Sequence, residues 1–173
     1  MHEELTKLFE TRINAFNEQA FFNTLFKCRG VVYGGFLRDL VAHAQPKDID
    51  VVISVLYASE FDAEMAGMGF TASFNEENNT TLWSMNGHLP VESYIVEDSP
   101  DDTFIGPESA PDYDVNILRY DGKSFRNWMN GSNDVAAVVD HIKQRIAIEF
   151  HEDEVRPERR AKIIFKGYAI IQQ

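Results

Sequence analysis

The sequence predicts an α+β fold: a mixed, mostly antiparallel central sheet flanked by helices. Three observations predict it. Apolar residues recur at helical spacing at both ends of the chain. Between the ends lie short stretches with the composition of strands. Asn86-Gly87 separates two of these as a two-residue hairpin turn, which makes that pair antiparallel.

The elements follow in order. Residues 3–27 read as helix broken once, with Leu5, Leu8, Phe9, Ile13 and Phe16 on one face and then Phe22, Leu25 and Phe26. Arg29-Gly30 ends it, glycine being the common residue just past a helix. Val31 to Tyr33 is a short strand, Gly34-Gly35 a turn, and Phe36 to His43 a short helix that Pro46 stops. Ile49 to Val55 is apolar on both faces, as central strands are. Ser59 to Met68 reads as a helix with Ser59 as its N-cap and Gly69 as its stop. Strands are expected over 70–74, 81–85 and 89–96, then an acidic, proline-rich loop from Glu97 to Pro111. Tyr113 to Tyr120 is a further strand, closed by the turn Asp121-Gly122. Asn133 to His141 is expected to be helix, Arg145 to Phe150 strand, and Pro157 to Ile170 a basic helix with proline in its first turn.

Length and composition limit the function. At 173 residues the expectation is a single domain over 1–173. Within it, 1–29 is a helical segment, 30–121 a catalytic core and 122–173 an extension. No apolar run approaches the roughly 20 residues of a membrane span, and the start resembles no signal peptide. A single cysteine, Cys28, excludes an internal disulfide. A cytoplasmic location is the default expectation. There are 28 acidic and 16 basic residues, for a net charge of −12. That is the wrong sign for a broad nucleic-acid footprint. Any RNA contact is therefore expected at a local patch, the basic stretch Arg156 to Lys166.

The chemistry concentrates in two short segments. In Gly34-Gly35-Phe36-Leu37-Arg38-Asp39 a strand enters a double glycine and then a helix. Such a turn lets backbone N–H groups approach a phosphate, although on its own it also fits an ordinary turn. Lys47-Asp48-Ile49-Asp50 follows. Residues i and i+2 of a strand share a face, so the two carboxylates project together. Like charges held that close repel unless a cation lies between them, and Mg²⁺ takes one or two carboxylates plus phosphate oxygens. Taken alone, the pair also fits ordinary surface acids at a strand end.

The two segments together, Gly-Gly-x-Leu-Arg-Asp and then Lys-Asp-x-Asp after a short helix, resemble the head domain of polymerase-β-like nucleotidyltransferases. The match is to class II tRNA CCA-adding enzymes and bacterial poly(A) polymerases. Two later stretches extend it. Val91-Glu92-Ser93 fits the strand that supplies a third acid there. Asp112-Tyr113-Asp114-Val115-Asn116-Ile117-Leu118, then Tyr120-Asp121, lies over a nucleotide-holding motif, but the two arginines that precede the aspartate in that family are missing. Glu152-Asp153-Glu154-Val155-Arg156 fits a base-pairing motif whose Asp and Arg face the incoming base; an acidic loop before a basic helix fits it as well. The resemblance covers residues 30–121 well and runs loosely to 170. The neck, body and tail domains of that family are expected to be absent.

The resemblance implies roles. Asp48 and Asp50 would bind two Mg²⁺ ions, and Glu92 would complete the metal site and assist deprotonation of an acceptor hydroxyl. Gly34 and Gly35 would cradle the triphosphate of an NTP substrate. Arg38 would contact it, unless it pairs with Asp39. Asp39, Asp112 and Asn116 would belong to the nucleotide site, Asp39 with an equally available structural role. The expected activity is transfer of a nucleoside monophosphate from an NTP to a hydroxyl, with an RNA 3′ end as one candidate acceptor. The alternative is a non-catalytic nucleotide-binding or interaction module on the same fold. Three convergent acids favour the enzyme, and the missing arginines favour the binder. Trp83 and Trp128 are expected in the core, and the histidines show no metal spacing.

Overall fold

The computed structural model describes residues 1–97, 111–129, 131–132, 134–150 and 155–172. The Asp98–Ala110 part of the acidic loop, and Glu152, Asp153 and Glu154 of the base-pairing motif, lie outside the described residues.

The N-terminal helix pair is α1 (His2–Ala15) and α2 (Gln19–Lys27). Their inner faces carry Leu5, Phe9, Ile13, Phe21, Phe22 and Leu25, all buried. Phe9 meets Phe22 edge to face at 4.8 Å and Tyr120 at 4.7 Å. Offset and edge contacts of this kind add to the area term of burial.

The chain then builds β1 (Val31–Tyr33), α3 (Gly35–Val41), β2 (Ile49–Ser54) and α4 (Val55–Gly67). Strands β3 (Thr71–Asn75), β4 (Thr80–Ser84) and β5 (Val91–Val96) follow. A single 3-10 turn at Asp114–Asn116 precedes β6 (Leu118–Tyr120) and β7 (Phe125–Asn127). Helix α5 (Ala136–Gln144), β8 (Ile146–Glu149), α6 (Pro157–Phe165) and β9 (Ala169–Gln172) complete the chain. Seven strands form one sheet in the order β3-β4-β5-β2-β1-β6-β7. Only β2 and β5 pair in parallel within it. The α+β expectation is therefore met. Strands β8 and β9 form a separate parallel pair.

Four local expectations need correction. Helix α4 begins at Val55, not at Ser59, because Ser54 is its cap: the Ser54 hydroxyl accepts from Leu56 N–H at 3.2 Å. The stretch Tyr113–Tyr120 is not one strand. The buried Asp114 carboxylate accepts from Ile148 N–H and meets His141, which folds Asp114–Asn116 into a turn and leaves Leu118–Tyr120 as strand. The connection between β4 and β5 is longer than the two residues that Asn86-Gly87 suggested, with His88 N–H closing on Met85 O. The last helix stops at Phe165, where Gly167 at φ +84° turns the chain into β9. Strand β7 was not read from the sequence, and it carries the main sheet past residue 121.

Gly122 sits at φ +88° in the β6–β7 turn. A Cβ there would lie 2.7 Å from Phe26 Cγ and 2.9 Å from Cδ2. Gly122→Ala is expected to lose about 1–3 kcal/mol, from left-handed backbone strain plus overpacking against α2. The midpoint of urea unfolding measures this, and an unchanged midpoint would refute it. Trp83 and Trp128 are buried as expected. No helix among the described residues is long and apolar enough to cross a membrane.

Candidate active site

The site forms where β1 ends and β2 begins, beside the parallel strand β5. Pairing places Tyr33, Asp50 and Glu92 side by side: Asp50 opposes Tyr33 of β1 on one edge and Glu92 of β5 on the other. Directly opposed residues share a face of the sheet. The same row continues through Leu82 and Ser73 on one side and Arg119 and Arg126 on the other.

Gly34 carries the chain off β1 at φ +71°, ψ −131°, a conformation suited to glycine. Its N–H donates to Leu118 O at 3.0 Å, which pins the turn to β6. A Cβ at Gly34 would stand 3.9 Å from Asp50 Oδ2 and from Asn116 O. The glycine turn therefore passes directly beside the Asp50 carboxylate.

The electrostatics of the three acids follow from that crowding. Burial, then the charge of Asp48, then that of Glu92 push the Asp50 carboxyl up to about 7, against the opposing Lys162 and Arg38 cations. Burial first, then Asp50 and Glu92, also push the Tyr33 phenol well above its usual range. The acids thus feel one another, as the sequence reading expected. They are not closed around a common point. Glu92 Oε1 accepts from the Thr80 hydroxyl at 2.6 Å, and among the described residues no group of three or more His, Cys, Asp or Glu side chains is arranged to hold a metal ion. Coulomb coupling reaches farther than coordination does, so the two observations agree. The Asp48–Asp50 pair still suits Mg²⁺: both offer hard oxygen donors, and their mutual repulsion is what a divalent cation relieves.

Beneath the glycine turn lies a buried ionic scaffold. Arg38, 3% exposed, donates through Nε to Asp39 Oδ1 at 2.8 Å and through an Nη to Asn116 Oδ1 at 2.6 Å. The second Nη pairs with Asp39 at 2.7 Å. Asp39 is also bonded by the Lys166 ammonium. Arg145 reaches Ala42 O and Lys166 O, both at 3.2 Å. These contacts lash the C-terminal segment to α3. Arg38 and Asp39 therefore hold the turn from below, and Asn116 is part of that support. Asp112, by contrast, pairs with Arg159 of α6 at 2.6 Å. Arg160 grips the buried Glu149 through both carboxylate oxygens at 2.9 Å.

Sequence reasoning did not single out Tyr33 or Thr80, and took in Lys162 only as one of the basic stretch Arg156 to Lys166. Tyr33 and Thr80 become visible only through strand register. Lys162 had a signal, since it stands four residues before Lys166 on one helical face.

Comparison with known proteins bears on the fold. No protein-family model and no curated protein matches the chain. Solved structures do match. A CCA-adding enzyme in complex with CTP superposes at TM-score 0.71 with 18% identity, covering 96% of this chain and 43% of the enzyme. A tRNA-processing enzyme in its apo form gives 0.60, 16%, 92% and 44%. The chain thus has the fold of a nucleotidyltransferase head domain. A third match, the Thermotoga maritima CCA-adding enzyme complexed with tRNA, gives 0.59 with 18% identity, covering 93% of this chain and 39% of the enzyme. The chain spans less than half the length of these enzymes.

Proposed function

We propose that this protein is a metal-dependent nucleotidyltransferase that moves a nucleoside monophosphate from an NTP to an acceptor hydroxyl. One observation carries the reading: the glycine turn runs beside Asp50, in a row with Glu92 and two residues from Asp48, on a nucleotidyltransferase head fold. In this reading residues 30–121 form the catalytic core, and 1–29 and 122–173 brace it.

The residues divide the work. The Gly34–Gly35 backbone admits the triphosphate where a side chain would intrude. Asp48 and Asp50, with Glu92 turned in from Thr80, would hold two Mg²⁺ ions, which when bound supply charge neutralisation for the triphosphate and the developing transition state. Glu92, released from Thr80, would accept the proton of the attacking hydroxyl. Arg38, Asp39 and Asn116 fix the turn. We assign Asp112 to orienting α6 through Arg159, as well as to the nucleotide site.

The fold matches include a CCA-adding enzyme with CTP and another with tRNA, which supports NTP as substrate and an RNA 3′ end as acceptor. The basic helix supports an RNA contact less than its composition suggested, because Arg159, Arg160 and Lys166 are committed to Asp112, Glu149 and Asp39. A second reading, a nucleotide-binding module without catalysis, is favoured by Ala110-Pro111 standing where the family has two arginines.

The test uses Mg²⁺, each labelled NTP in turn and a pool of RNAs, with the wild-type chain and Asp48→Ala/Asp50→Ala. Label is expected to move to RNA with the wild type only. Transfer that survives the double substitution would overturn the carboxylate assignment. Triphosphate binding without transfer to any acceptor would establish the binding module instead.

A further inference from the structure

We propose that Lys162 of α6 grips the triphosphate of the incoming nucleotide, doing from the C-terminal helix what the missing arginines cannot. This inference rests on the nucleotidyltransferase reading and adds a substrate contact to it.

An anionic triphosphate entering beside Asp48, Asp50 and Glu92 needs cations as well as metal. Arg38 is the nearest by sequence, but its guanidinium is buried and its donors face Asp39 and Asn116. The position before Asp112 holds no arginine. Helix α6 and its C-cap carry four cations, Arg159, Arg160, Lys162 and Lys166. Three of them are tied down: Arg159 to Asp112, Arg160 to Glu149 and Lys166 to Asp39. Among the described residues, Lys162 has no ion-pair or hydrogen-bonded side-chain partner, and it is exposed.

Its place is set by the three that are tied. Lys166 binds Asp39, the neighbour of Arg38, and an Arg38 Nη lies only 3.4 Å from where a Gly35 Cβ would stand. Lys162 is one helical turn earlier on the same face. Lys166 thereby anchors the C-terminal end of the helix to α3, the helix that follows the glycine turn. A compact ammonium on a flexible stem suits phosphate binding as a point charge. It also explains why three anchors hold a short helix whose fourth cation is left free.

The experiment measures binding of an NTP and of the matching NMP to the full chain with Mg²⁺, by calorimetry, for wild type, Lys162→Gln and Lys162→Arg. Lys162→Gln is expected to weaken the NTP by about tenfold or more, the scale of one charge-assisted hydrogen bond, and to leave the NMP unchanged. Lys162→Arg is expected to recover most of the loss. In transfer assays KM for the NTP rises while kcat changes less. Equal NTP affinity in wild type and Lys162→Gln, or equal losses for NTP and NMP, would overturn the assignment while leaving the nucleotidyltransferase reading standing. A wild-type chain that binds no NTP would sink that reading and this one together.

Discussion

Asp50→Asn is expected to abolish nucleotidyl transfer and, at the same time, to stabilise the metal-free protein above neutral pH. On the proposed reading the loss of activity follows from removing a carboxylate that would hold the metal carrying the triphosphate; about a thousandfold or more is expected, several kcal/mol of transition-state stabilisation. The gain in stability follows from the crowding of the acids. The folded-state Asp50 carboxyl lies near 7, raised from 3.8 by burial, Asp48 and Glu92. Between those values the folded chain binds more protons than the unfolded one. Stability from this group is therefore complete below pH 3.8, falls as the pH rises through the window, and is lost above about 7. The penalty at pH 8.5 is on the order of 4 kcal/mol. Asparagine keeps the shape without the charge, so its advantage over wild type should grow from pH 4.5 to pH 8.5. Denaturant unfolding in a chelator at both values measures it. A gap independent of pH would refute the like-charge account of the site. The same tension suits metal binding: a cation that neutralises Asp48 and Asp50 relieves repulsion the fold otherwise bears.

The second large effect is expected at Arg38. Arg38→Ala should cost about 3–5 kcal/mol, because it removes one partner of a buried pair and leaves the other with too few. Asp39, with its side chain 3% exposed, would retain only Lys166, and Asn116 Oδ1 would lose its donor. Urea unfolding checks the magnitude. The interaction energy from Arg38→Ala, Asp39→Asn and the double variant should be large, since the two residues share one network. A cost below about 1 kcal/mol would mean the scaffold under the glycine turn is dispensable. Loss of the scaffold should also weaken NTP binding, because the Gly34–Gly35 turn rests on it.

Much of the fold was legible for local reasons. The N-terminal helices declared themselves because Leu5, Phe9, Ile13, Phe22 and Leu25 repeat at the helical period and are all buried. Strand β2 read as central because both its faces are apolar, and it sits fourth of seven. Glycine at Gly34 and the Asp-x-Asp spacing signalled the turn and the paired carboxylates through backbone geometry alone. The failures share a cause too. Val55 looks like a strand residue, yet it is exposed in the first turn of α4, where the Ser54 cap outweighs its β-propensity. Ile170 looks like the end of a long amphipathic helix, yet it pairs with Ala147 in β9. In each case a partner distant in sequence, or a cap of one hydrogen bond, overrode the local pattern.

From sequence alone came the α+β class, the glycine turn and the two aspartates two residues apart, because these depend on periods and turn chemistry that neighbouring residues set. Only the tertiary structure decided that β5 lies parallel to β2, which brings Glu92 level with Asp50. It alone turned the basic helix inward, committing Arg159, Arg160 and Lys166 to buried or partly buried acids and leaving Lys162 exposed and without an ion-pair partner among the described residues. The physical reason is that strand register and ion pairing are chosen by burial, a property of the whole packed chain that no window of neighbouring residues contains.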